Sequence, residues 1–305
     1  MRCTNASGFT LEDLVWSILV VFLLGLAAFC LIPWGPSGQA TELKDRPVCM
    51  SNLSSIGKGI VLYKAANDNK WPWIENVRSD WSNVPTGTNR QLAPNADPNN
   101  PGQRSITALM FLLVRDNQPA KLFTCPSDRD ARYDVNTRYL VRDDDPNSET
   151  FYWDFSAPNS VSYSWQAPVF SGGRYVNGLD DEEPNVVVIA DKTPRYGSPN
   201  WQPDDMSKTK DADIVRRNMS QNHRRGSEVN ALMVGMNVVK QRRPDFALGG
   251  DNIYTASGEA DAGSRSAVSL DMADHLSPRD SFLIGPVRKP QGGQAGAGDG
   301  PSKAR

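Results

Sequence analysis

The chain has 305 residues, with 33 Lys and Arg against 35 Asp and Glu and a formal net charge of −2. That length allows one large domain or two modest ones with a real core. The charge balance offers no basic surface for nucleic acid, and the pairs Arg216-Arg217, Arg224-Arg225 and Arg242-Arg243 read as solvated faces. Only His223 and His275 could act as imidazole bases, and there is no Gly-x-Ser-x-Gly elbow, phosphate-cradling glycine loop or paired His/Cys metal spacing. The pattern points away from an enzyme and from a resident cofactor.

The first element is a charge-free run of 19 residues, Leu14 to Ile32. As a helix rising about 1.5 Å per residue it predicts a span of roughly 28 Å, close to a bilayer's hydrocarbon core. Its apolar residues fall on all sides, so the expectation is a transmembrane helix rather than an interfacial one. Pro33 and Gly35-Pro36-Ser37-Gly38 end it, and Trp34 suits the membrane interface. A secretory signal peptide fits less well, because its apolar core is shorter and its entrance positive. Here Glu12 and Asp13 stand at the entrance, where carboxylates are costly without a partner.

From Cys49 to Tyr63, Leu53, Ile56, Ile60 and Tyr63 recur at three- and four-residue steps, which predicts an amphipathic helix starting after Pro47 and ending before Asn67-Asp68-Asn69. Trp71 to Gln103 reads as loop, and a short apolar helix is expected at Ile106–Val114. Strands are expected at Val161–Trp165 and Val186–Ala190, and in a hairpin of Val229–Val234 with Asn237–Gln241. In that hairpin Gly235-Met236 suits a two-residue turn with glycine first. The tail from Pro286, with its run of Gly and Ala, lacks the apolar surface to order itself. Of four cysteines, Cys49 and Cys125 fall in the polar body. An oxidising compartment would permit them to pair, and two separate buried thiols are the alternative.

The segment Gly8-Phe9-Thr10-Leu11-Glu12-Asp13-Leu14 closely resembles the processing site of type IV pilins and type II secretion pseudopilins. The resemblance implies that a membrane-embedded prepilin peptidase and methyltransferase cuts after Gly8 and methylates Phe9. It also implies that an acidic side chain at the fifth mature position pairs with a neighbouring subunit's N-terminal ammonium. Asp13 occupies that position where the family usually has glutamate, and Glu12 adds a second carboxylate at the fourth. Further along, Cys49-x-x-Asn-Leu-x-x-Ile-Gly57, Cys125-Pro-Ser-Asp128, Val161-Ser-Tyr-Ser-Trp165, Ala190-Asp191 and Gly250-Asp-Asn-Ile-Tyr-Thr255 look like successive landmarks of a bacterial subfamily. Its members join a pilin-type N-terminus to a domain marked by a histidine, nine residues, then Asp-Gly. That motif is degraded here. His223, Gly226 and Asn230 match it, but Val234-Gly235 stands where Asp-Gly is expected, one residue later.

The expected fold class is therefore α+β and pilin-like: an N-terminal transmembrane helix continuing, with an interruption, into an amphipathic helix packed on an antiparallel sheet. The expected division is a leader at 1–8, the membrane helix at 9–34, a linker at 35–48, a globular exoplasmic domain at 49–285 and a disordered tail at 286–305. The implied function is a membrane-anchored structural subunit of a filament or type II secretion-like apparatus, single-pass in the inner membrane, with its body periplasmic or extracellular. Its partners would be the peptidase, membrane lipid and other pilin subunits, the same or different. The alternative is an anchored surface binding or adhesion protein that never polymerises. Acidic clusters at Asp128 and Asp130, at Asp143, Asp144 and Asp145, and at Asp180 and Asp181 supply hard oxygens of the kind calcium takes, six to eight at a site. Solvated acidic loops are the ordinary reading of such runs. His223, set between Asn222 and two arginines, reads as an exposed or hydrogen-bonding loop residue.

Overall fold

The computed structural model describes residues 11–31, 38–74, 86, 105–132, 152–171, 174–179, 181–194, 210–223, 226–250, 252–256, 279 and 281–286. It divides into two units, 1–41 and 42–305.

The first unit contains α1, Leu11–Leu31. Among the described residues no helix is long and apolar enough to cross a membrane, which corrects the expected transmembrane helix. The described charge-free side chains of α1 run from Leu14 to Leu26. Those side chains are nonetheless bare: Val21, Phe22 and Leu24 are each more than 60% exposed.

α2 runs from Gly38 to Ala66. It begins earlier than the periodicity implied, and Pro47 lies inside it. Proline has no N–H, so the Leu43 carbonyl loses its helical donor at that turn. The predicted stripe is present: Leu53, Ile56 and Ile60 are fully buried. Gly57 lies on the same face, where a Cβ would come within 3.0 Å of Leu232 Cδ1. The missing side chain is what lets the helix backbone approach the sheet.

That sheet has five antiparallel strands in the order β6-β5-β4-β1-β7. They are β1 (Tyr163–Gln166), β4 (Val187–Asp191), β5 (Val229–Met233), β6 (Val238–Gln241) and β7 (Leu283–Ile284). A separate hairpin pairs β2 (Val169–Ser171) with β3 (Arg174–Val176). Register places Ile284, Trp165, Ile189, Leu232 and Val238 in one row across the sheet. This row packs into the larger core with the α2 stripe and with α3, Thr107–Arg115. Val187, Ala190, Val229, Ala231 and Met233 pack on the other side with Met219, Ile253 and Tyr254. With both faces covered, β4 reads as an apolar run up to Asp191 and β5 as one interrupted by Asn230, instead of alternating. A register shift between Val187 and Ile189 puts two successive β4 residues, Val188 and Ile189, into the larger core.

The β5–β6 connection differs from the expected glycine-first turn. Met236 N donates to Met233 O at 2.9 Å, so Val234 and Gly235 are the central pair. The left-handed residue is then Met236, with φ 62°. This is a tight turn followed by one left-handed residue, a common alternative to the two-residue loop. Short α4 (Ala212–Arg217) is capped by Asp211, whose carboxylate accepts from the Asp213 and Ile214 amides.

Candidate functional site: a buried polar knot

The landmarks scattered along the sequence meet in space around one carboxylate. Asp191 ends β4 and has no solvent exposure. Its Oδ2 accepts from the Asn230 backbone N–H at 2.7 Å and from Asn230 Nδ2 at 3.2 Å, while Oδ1 accepts from Asn222 Nδ2 at 3.1 Å. His223 Nε2 lies 3.1 Å from the same Oδ2. With the ring protonated, Nε2–H donates to this carboxylate. Asn230 Nδ2 also lies 2.7 Å from His223 Nε2, where donor and acceptor depend on the ring's tautomer. The Tyr254 hydroxyl donates to the Asp191 carbonyl at 2.9 Å. Asn222 Nδ2 also donates to the Ser162 carbonyl, tying the histidine loop to the residue before β1.

The knot reaches the helix side of the sheet. Tyr163 is the cross-strand partner of Asp191, and its hydroxyl lies 3.5 Å from the Cys49 carbonyl. Cys49 and Cys125 are joined in a disulfide with Cα atoms 5.2 Å apart. Asn52, one turn along α2, donates to the Thr124 carbonyl beside that bridge. Asp128, three residues past Cys125, pairs with Lys192 Nζ at 2.5 Å. Both side chains of this pair are almost completely buried. Lys192 in turn directly follows Asp191.

Electrostatics follow from burial. Dehydration works against a charged His223, but the Asp191 carboxylate, by its charge and its hydrogen bond, more than offsets this. Glu228 adds to it and Arg46 opposes it, and the net result is a histidine that holds its proton to higher pH than usual. Burial, then the Asp191 charge, pushes the Tyr163 and Tyr254 hydroxyls well above the ordinary phenol value. Several buried atoms have no hydrogen-bond partner among the described residues, notably His223 Nδ1, Asn222 Oδ1 and Asn230 Oδ1.

The placement of the predicted residues is uneven. His223 and Asn230 fall in the knot. His223 is fully buried, which corrects the expectation of an exposed loop residue while keeping its hydrogen-bonding character. Gly226 has φ 57°, and a Cβ there would sit 2.6 Å from the Arg216 carbonyl, so only glycine fits the loop that returns from His223 to β5. Gly235 serves the hairpin turn and takes no part in the knot. Gly8, Phe9, Asp143, Asp144, Asp145, Asp180 and His275 lie outside the described residues, as does the Asp13 side chain. Glu12 is exposed on α1.

The described members of the set proposed for calcium, Asp128, Asp130 and Asp181, do not group closely enough for one ion. Asp128 is taken by Lys192, and its Oδ1 accepts from the Asp130 backbone amide at 3.1 Å. Asp181 is held by Lys64 and by Trp71 Nε1. Among the described residues, the His, Cys, Asp and Glu atoms that group closely enough for one ion are those of Cys49, Cys125 and His223.

Sequence reasoning missed Asp191 as the centre, together with Asn222, Tyr163 and Tyr254. Their signal was available, since Ala190-Asp191, the Tyr163 segment and the Tyr254 segment had each stood out as landmarks. Compared with known protein families, curated proteins and solved structures, the chain matches none.

Proposed function

We propose that the chain is a pilin-like structural subunit whose body faces an oxidising, exported compartment and whose α1 associates with the same helix of neighbouring copies. The observation that carries this reading is α1 itself: 11 large hydrophobic side chains between Leu14 and Leu26 stand exposed in the single chain. Apolar surface on that scale is stable only when something covers it. Identical helices cover one another most simply, by repeating one contact along an open assembly. Glu12 at the head of α1 is available to pair with a neighbour's terminal ammonium.

Two features of the body support the same reading. The Cys49–Cys125 bridge suits an oxidising environment. The polar knot has His223, Asp191, Tyr163, Tyr254 and Asn230 at 0% exposure, so it ties strands and loops together where no substrate reaches. A buried network centred on one carboxylate in this way helps specify one core. It suits a part that must hold its shape under load.

The test is crosslinking in the native host. With Val21→Cys, which sits on the bare face, oxidation is expected to give disulfide-linked dimers in the sheared surface or envelope fraction. A chain that stays monomeric under oxidation, and leaves no sheared filament, would instead favour the lone surface-binding protein.

A further inference from the structure

The polar knot and the disulfide share an unused piece of chemistry. One ligand atom each from Cys49, Cys125 and His223 lie within 4.8 Å of one another, and all three residues are fully buried. His223 Nε2 is engaged by Asp191 and Asn230, whereas Nδ1 has no hydrogen-bond partner among the described residues. An imidazole with one nitrogen fixed by a carboxylate and the other free is the arrangement that orients histidine toward a metal and raises its basicity. Two sulfurs stand beside it.

We infer that the reduced chain binds one thiophilic divalent cation, zinc by chemical class, through the thiolates of Cys49 and Cys125 and Nδ1 of His223, with Asp191 as the positioning residue. The oxidised chain excludes the ion, because both sulfurs are committed to each other. In a tetrahedral site with Zn–S near 2.3 Å and Zn–N near 2.0 Å, neighbouring ligand atoms lie roughly 3.5–3.8 Å apart. The present cluster needs only parting of the sulfurs and small shifts of the rest to reach that spacing. No third thiol or second histidine joins it among the described residues, so the fourth position falls to water or an external ligand.

The chemistry balances with an external dithiol as reductant. Its thiolate attacks one sulfur of the bridge, the S–S bond breaks, and the mixed disulfide resolves when the second thiol of the reductant closes on the first. Two electrons pass to the cystine, the reductant leaves as its own disulfide, and Cys49 and Cys125 each end as a thiol. Zinc then displaces the two thiol protons. The protein would hold one of two mutually exclusive clasps, with the redox poise of the compartment choosing between them. The disulfide ties α2 to the Cys125 loop, and the zinc clasp ties the His223 loop to both. This inference does not depend on the assembly of α1.

The experiment uses the full chain, reduced anaerobically with a phosphine, loaded with zinc, desalted, and assayed for metal by mass spectrometry alongside a thiol count. One zinc per reduced chain and none per oxidised chain is expected, with sulfur-to-metal charge-transfer absorption when cobalt replaces zinc. His223→Gln should lose the tight site while Cys49 and Cys125 remain titratable. Asp191→Asn should keep the stoichiometry but weaken affinity about 10- to 100-fold. The inference is overturned if reduced chain takes up no zinc, or if oxidised chain takes up as much. It is equally overturned if reduction unfolds the chain and His223→Gln then binds as well as the wild type, since that is chelation by loose thiols.

Discussion

Replacing Asp191 by Asn probes the knot at its centre with almost no change in volume. Four donor contacts converge on the carboxylate: Asn222 Nδ2 on one oxygen, and Asn230 N, Asn230 Nδ2 and His223 Nε2 on the other. The amide oxygen of the variant can serve the three-donor side. Its NH2 then faces Asn222 Nδ2, another donor, and Asn222 cannot turn without losing its bond to the Ser162 carbonyl. One charge-assisted hydrogen bond is lost, worth about 1.5–3 kcal/mol. The protonated His223 also loses its buried counter-charge, and removing one partner of such a pair costs about 3–5 kcal/mol in all. The pH profile gives a sharper test. In the wild type, His223 has a raised pKa. Its contribution is therefore fully present below the unfolded value of about 6.5 and is lost as pH rises through the folded value. In Asp191→Asn, burial dominates and depresses the histidine, so stability is retained above about pH 6.5 and lost on acidification. Urea unfolding of oxidised protein, followed by circular dichroism at about pH 6 and pH 8.5, reads both effects. A penalty below about 1 kcal/mol at the lower pH, or a slope with the wild-type sign, would refute the account of Asp191 as the anchor of a charged pair.

Three other perturbations test separate parts of the structure. The Cys49→Ala/Cys125→Ala double variant opens a loop with a sequence separation of 76, for which chain entropy predicts a loss of about 4.5 kcal/mol in chemical denaturation. Gly57→Val would drive two methyls toward Leu232 and Met236, and overpacking should cost about 1–3 kcal/mol and lower the melting temperature, whereas the same change at exposed Lys58 should have little effect. Lys192→Met strands the buried Asp128 carboxylate and should cost about 3 kcal/mol or more. Adding Asp128→Leu should restore most of that in the same melt, because removing both ions also removes the need to dehydrate them.

Much of this architecture was legible because its parts follow strong periodicities. The Leu53, Ile56, Ile60 stripe marked α2, and the run Val186–Ala190 and the 229–241 segment marked three strands within a residue or two. The elements that were missed lack such signals. β7 is two residues long, too short for any pattern, and exists because Phe282 O and Leu283 N complete bonds offered by Ala167 and Ile253. The hairpin of β2 and β3 did carry a cue, Gly172-Gly173 between Val169-Phe170-Ser171 and Arg174-Tyr175-Val176, each with β-branched and aromatic residues. Pro47 misplaced the start of α2, since local propensity forbids an internal proline. The knot was hardest to see. A histidine flanked by asparagine and two arginines looks like surface, and nothing local reveals that Asp191, some 30 residues earlier, is placed beside it by the β4–β5 pairing. Long-range register, which composition does not encode, turned a polar loop into a core.

The borders of the sheet bear on how copies can meet. One border is β6, where Lys240 is half exposed and lies 4.0 Å from Glu228; the other is β7, only two residues long. A charged strand and a vanishingly short one are poor templates for further backbone pairing. Bodies of this kind are protected from stitching together edge to edge into amyloid-like stacks, even when crowded at high local concentration. Any ordered array they form must be held by side chains on other surfaces, and it can come apart without unravelling the fold.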